Sequence, residues 1–135
     1  MYIEDIREAM QRTVDGDLEA TAILAGLPHE DLLAAARGNA RFVVTSSAVQ
    51  RVLRALREDG SLFPVAHDWA NFVSLGEFPE SPPASPPRIE VDIEFDPAYQ
   101  EEIASVVAPL TWWGDTITDL ITEDDLDRMA ASLPE

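Results

Sequence analysis

Residues 45–60 read Thr-Ser-Ser-Ala-Val-Gln-Arg-Val-Leu-Arg-Ala-Leu-Arg-Glu-Asp-Gly. Val49, Val52, Leu53 and Leu56 recur at the three- and four-residue spacing that puts side chains on one face of a helix. Thr45, Ser46 and Ser47 offer hydroxyls that can cap its start, and Gly60 follows its end. The segment therefore predicts an amphipathic helix. Arg51, Arg54 and Arg57 fall on its opposite face. Such a stripe suits phosphate binding, but in a chain of net charge −17 the expectation is pairing with the protein's own acids.

The same period extends outward. Ile3, Ile6, Met10 and Val14 predict a helix over 3–14, stopped by Asp15-Gly16-Asp17. A shorter helix follows over 18–26, carried by Leu18, Ala22, Ile23 and Ala25. Pro28 suits the first turn of a third, with Leu32, Leu33 and Ala36 inward until Gly38-Asn39. Pro64 opens another, with Val65, Trp69, Phe72 and Val73 on one side. Phe42-Val43-Val44 is β-prone but short, and reads equally as a strand or as a buried run into the next helix.

Residues 79–88 hold five prolines in ten residues and predict an extended connector. Beyond it Ile89, Val91, Ile93 and Phe95 alternate with Glu90, Asp92 and Glu94, the period of a half-buried strand. One strand cannot satisfy its own backbone. It must pair with segment 41–45, lie as an arm on helices, or pair with a second chain as a homodimer. Asp96-Pro97 begins a helix with Tyr99, Ile103, Val106, Val107 and Leu110 inward; Pro109 should kink or restart it. Thr122-Glu123-Asp124-Asp125 resembles a capping box before Leu126, Met129 and Leu133. The fold class is mainly α: one domain over 1–135, six or seven short helices, one strand or short hairpin, and a proline-rich crossover. It divides into a helical half (1–78), the connector (79–88) and an acidic strand–helix half (89–135).

Composition narrows function. The 26 acids face nine basic residues, all arginine. Residues 1–87 carry 13 acids and seven arginines, whereas 88–135 carry 13 acids and two arginines. That charge repels nucleic acid and anionic membranes and favours a basic protein partner. Cysteine is absent, which removes disulfides, thiol nucleophiles and thiolate metal sites and leans toward the cytoplasm. Met1–Ile6 has neither a basic region nor an apolar run, so no signal peptide is expected, and no stretch has the roughly 20 apolar residues of a membrane span.

Few constellations carry chemistry. Glu90, Asp92 and Glu94 share a strand face; paired carboxylates of this kind serve glycoside hydrolysis or cation binding, and a solvated face has the same pattern. The stretch from Asp115 fails as a calcium loop: Ile117, Leu120 and Leu126 fall where an oxygen ligand, glycine and glutamate are required. His29 and His67 have no metal-ligand spacing, with His67 opposite Trp69 on its helix, and there is no phosphate loop or dinucleotide motif. No metal or cofactor is expected. Trp113 continues the Val106–Leu110 face, which leaves Trp112 beside Asp115 and Asp119 as either a second core contact or a binding anchor. Trp112, Asp115, Asp119, Glu123, Asp124 and Asp125 form the candidate partner-binding surface, with Glu90, Asp92 and Glu94 as a secondary one.

The chain resembles the small, acidic, helical immunity proteins that bacteria make against their own colicin-like toxins. The resemblance lies in the lysine- and cysteine-free acidic chain of this size, in Trp69-Ala70-Asn71-Phe72-Val73 after an alanine-rich helix, and in Leu110–Ile117 with Thr122–Leu126. It implies a non-enzymatic inhibitor whose partner is a basic toxin; it assigns no role to a named residue. The proline connector and the alternating strand depart from a plain helical bundle. A cytoplasmic adaptor or regulatory subunit, assembling through the strand edge or Trp112, and a hydrolase using the strand carboxylates are the other readings.

Overall fold

A computed structural model describes residues 3–27, 29–36, 41–75, 92–112 and 121–133. Among them the chain is mainly helical, with seven α-helices and a small two-stranded sheet. The order is α1 (Ile3–Val14), α2 (Leu18–Ala25), α3 (His29–Ala36), β1 (Arg41–Val44), α4 (Ser46–Glu58), α5 (Phe63–Leu75), β2 (Asp92–Phe95), α6 (Gln100–Trp112) and α7 (Glu123–Ala131). Single 3-10 turns, Gly60–Leu62 and Pro97–Tyr99, lead into α5 and α6.

Local chemistry sets the boundaries. At the end of α1 the Gly16 amide donates to Thr13 O at 2.9 Å and the Asp17 amide to Arg12 O at 3.0 Å, with Gly16 at φ +92°. This is the glycine-dependent helix stop in which two otherwise orphaned carbonyls find donors. Asp17 then starts α2: its carboxylate accepts from Glu19 N at 3.0 Å and Ala20 N at 3.3 Å, and pairs with Arg12 at 2.7 Å. Thr45 caps α4 through Ala48 N at 3.2 Å. Burial in α4 follows the apolar spacing, with Val49, Val52, Leu53 and Leu56 almost wholly enclosed.

The 41–44 segment is a strand, and its partner is β2. The two run parallel, Arg41 opposite Asp92 and Val44 opposite Phe95. A hairpin is therefore excluded as the β element, because parallel strands need a crossover, here the chain through α4 and α5. Phe42 and Val44 are buried while Arg41 and Val43 are exposed, the two-residue period of a sheet covered on one side. Residues 89–91 of the expected strand and the connector 79–88 lie outside the described residues.

One apolar core joins all the helices. Ile6, Met10 and Val14 of α1, Leu24 of α2, Leu32 of α3, Trp69 and Phe72 of α5, Ile103, Val106 and Leu110 of α6, and Leu126 of α7 belong to it. Thr13 is buried with them, and its carbonyl accepts a second bond, from Trp69 Nε1–H at 2.7 Å.

Three expectations are corrected. In α2, Ala22 and Ile23 face outward while Leu18, Ala20, Thr21 and Leu24 face the core. Thr21 tolerates burial because its hydroxyl donates to Asp17 O at 3.1 Å. Tyr99 is 38% exposed, since it sits in the tighter 3-10 turn and not on the α6 face. Of the two outcomes expected at Pro109, a kink or a restart, the restart is excluded: α6 continues through it as one helix. Proline removes the donor that Ser105 O would use, but Ser105 is exposed, so water can serve that carbonyl.

Gly16 supplies a sharp test of this packing. A Cβ there would lie 2.4 Å from the Ala48 carbonyl oxygen, on a backbone already left-handed. Gly16→Ala should cost about 2 kcal/mol or more in urea unfolding, whereas Gly60→Ala, where a Cβ meets nothing within 4 Å, should change stability little.

Candidate functional site

The acidic face anticipated around the last helix is partly in view. Thr122 and Asp125 form a reciprocal capping box at the start of α7: Asp125 N donates to Thr122 Oγ1 at 3.2 Å, and Thr122 N donates to Asp125 Oδ2 at 2.9 Å. These bonds, the Thr122 backbone first, hold the Asp125 carboxyl below its ordinary range, with Arg128 adding to them. Asp125 is thus a structural acid. Asp127 pairs with Arg57, which joins α7 to α4. Glu123 and Asp124 are exposed and make no hydrogen bond or ion pair among the described residues. Trp112 is the last residue of α6, with its side chain outside the described set, as are Asp115, Asp119 and Trp113.

On the strand, Glu94 pairs with Arg41 across the sheet at 2.5 Å. Opposite charges on one face of adjacent strands stabilise the pairing modestly. Asp92 stands opposite Arg41 in the register, and Glu90 lies outside the described residues. Glu94, one of the three acids that the strand pattern offers either for hydrolysis or cation binding or as a solvated face, is tied to a cation. Among the described residues no group of three histidines, aspartates or glutamates could hold a metal ion.

His67 is half-buried and faces α6. Its Nδ1 lies 2.9 Å from Leu110 O, and a carbonyl only accepts, so Nδ1 carries the proton. Nε2 is left as an acceptor 3.4 Å from Asn71 Nδ2, which also donates to His67 O at 2.9 Å. With both ring nitrogens engaged, the imidazole is a tie between α5 and α6. Nearby, a cavity of about 440 Å³ opens between α5, α6 and β2, with Asn71, Ser74 and Thr111 as its polar lining and Phe95 and Val107 among its apolar walls. Its described lining holds no carboxylate and no paired nucleophile and base.

The arginine stripe of α4 meets the expectation of internal pairing at one position. Arg57 finds Asp127, but Arg51 and Arg54 make no ion pair or hydrogen bond among the described residues. Their state depends on where the acids of a distant helix project, which local sequence does not encode.

Comparison with protein-family models, curated proteins and solved structures found no match to this chain. Among the described residues, no helix is long and apolar enough to cross a membrane.

Asp68 gives a pH signature. Burial pushes its carboxyl above the ordinary range, and the neighbouring His67 only partly opposes this. A raised folded-state pKa contributes stability that is full below the unfolded value, about pH 4, and is lost as pH rises through the folded value. Asp68→Asn should therefore be more stable than the parent at pH 7, with the difference shrinking toward pH 3.5 in paired urea titrations.

Proposed function

We propose that this chain is a non-enzymatic, acidic protein-binding module, an immunity-type inhibitor of a basic bacterial toxin. The observation that carries the reading is the charge distribution. The segment 88–135 holds 13 acids against two arginines. Within it Glu123 and Asp124 stand exposed at the start of α7 with no ion pair among the described residues, while Asp125 and Asp127 are occupied by Arg128 and Arg57. The resemblance to immunity proteins adds direction: a basic toxin carries the positive surface that such a face complements. Glu101 and Glu102, exposed in the first turn of α6, extend the same sign of charge. Trp112 follows at the far end of that helix and is the proposed anchor, since tryptophan dominates binding hot spots.

Charge of this kind acts mainly on encounter and an anchor mainly on residence. The partner is to be captured from the native cell and its association measured at two salt concentrations. Glu123→Gln with Asp124→Asn and Asp119→Asn should slow association and flatten its salt dependence. Trp112→Ala should speed dissociation, at a cost of about 2 kcal/mol. Asp125 is left intact in this test because it caps α7. Variants that fold and bind like the parent would remove the physical basis of the proposal.

A further inference from the structure

The seam between α4 and α7 contains a groove of about 850 Å³, lined by Ser47, Gln50, Arg51 and Arg54 on one side and by Ala130, Ala131 and Leu133 on the other. Among the described residues no aspartate or glutamate lines it, in a chain where 26 of 135 residues are acidic. Arg7, Arg12, Arg41, Arg57 and Arg128 each have a partner: a carbonyl for Arg7 and a carboxylate for the rest. Arg51 and Arg54 have none among the described residues, and both line this groove, Arg54 at its boundary with a smaller pocket that Arg57 and Asp127 also line. They are three residues apart, hence neighbours on one helix face with an axial separation of about 4.5 Å. Two guanidinium groups at that spacing offer planar forks of N–H donors that match the oxygens of a phosphate or carboxylate.

The opposite wall is apolar and fixed. Gln50 Nε2 donates to Ala130 O at 3.0 Å, which ties the two helices, and Leu133 is only 5% exposed. The alanines keep the wall low, which leaves room for an apolar body beside the arginines. Ser47, the second residue of α4, adds a hydroxyl at the positive end of the helix dipole. We propose that this seam binds an oxyanion carried on a small apolar body, an aryl or short alkyl phosphate or carboxylate. Arg51 and Arg54 clamp the anion, and Ala131 and Leu133 receive the apolar part. The site is distinct from the acidic surface assigned to a protein partner. Because the whole chain repels anions, attraction here must come from these two side chains at contact range and not from the overall field.

Titration of the intact protein with phenyl phosphate, benzoate, inorganic phosphate and neutral benzyl alcohol, followed by calorimetry and by backbone amide shifts, tests this. Phenyl phosphate or benzoate should bind one-to-one, with shifts centred on 47–54 and 130–133; whichever binds tighter names the anion. Inorganic phosphate and benzyl alcohol should each bind at least tenfold more weakly than the better of the two. Arg51→Gln/Arg54→Gln should weaken binding at least tenfold, and Arg51→Lys/Arg54→Lys by less. Arg41→Gln/Arg128→Gln, which has the same net charge, should leave it within twofold. Absence of binding, shifts elsewhere, equal affinity for inorganic phosphate, or an undiminished Gln double variant would each overturn the proposal.

Discussion

The Thr13 carbonyl is the point on which the fold turns. At the end of α1 it has two lone pairs and no helical partner. One lone pair takes the Gly16 amide and the other the indole N–H of Trp69, from the middle of α5. The helix stop that holds the first bond is completed by the Asp17 amide returning to Arg12 O, which needs the left-handed backbone that Gly16 adopts freely. The second places the largest side chain of the core at a fixed depth, fully enclosed. Gly16 also packs against the Ala48 carbonyl at the start of α4, where any side chain would collide. One turn of chain thus fixes the mutual position of α1, α2, α4 and α5. A buried carbonyl left without these donors would be costly, so the arrangement is specific as well as stable.

The acidic half is attached to that frame by the short parallel ladder. Val44 and Phe95 end the pairing, and the Asp96 amide adds one further bond to Val44 O at 2.9 Å before α6 begins. From there α6 packs on α5, with His67 donating to Leu110 O, and α7 packs on α4 through Gln50 and the Arg57–Asp127 pair. The outcome is a separation of charge. The start of α7 presents acids, and the α4–α7 seam farther along presents arginines, that have no partner among the described residues. Helix α7 caps its own first turn through Asp125, which withdraws that acid from a binding role, while Glu123 and Asp124 are exposed.

Sequence alone made α4 and α5 legible, because a wide apolar face at regular spacing has only one way to be buried. The capping box at Thr122 was legible for the same local reason. The phase of α2 was not: its residues are apolar nearly all round, so periodicity could not choose between Ile23 and Thr21 for the core. The strand at 92–95 was visible in its alternation, but its parallel pairing joins residues such as Arg41 and Glu94, 53 positions apart, and no local pattern carries that. The candidate acidic surface follows from composition and spacing, which group Trp112 with five acids. Its described members divide into structural and free ones, a division set by hydrogen-bond partners and not by composition. That Arg51 and Arg54 have no partner among the described residues was not legible, because overall charge suggests that nearby acids neutralise them.

If the Thr13 node organises the fold, the Trp69 indole hydrogen should leave its bond only when the whole protein unfolds. Native-state hydrogen exchange, followed at that indole N–H by NMR, reports the free energy of the opening that frees it. The account predicts a value equal to the global unfolding free energy from denaturant titration, with the same dependence on denaturant. Exchange through a smaller opening, while the α1 amides stay protected, would contradict it and show that α5 is held in place by something other than this bond.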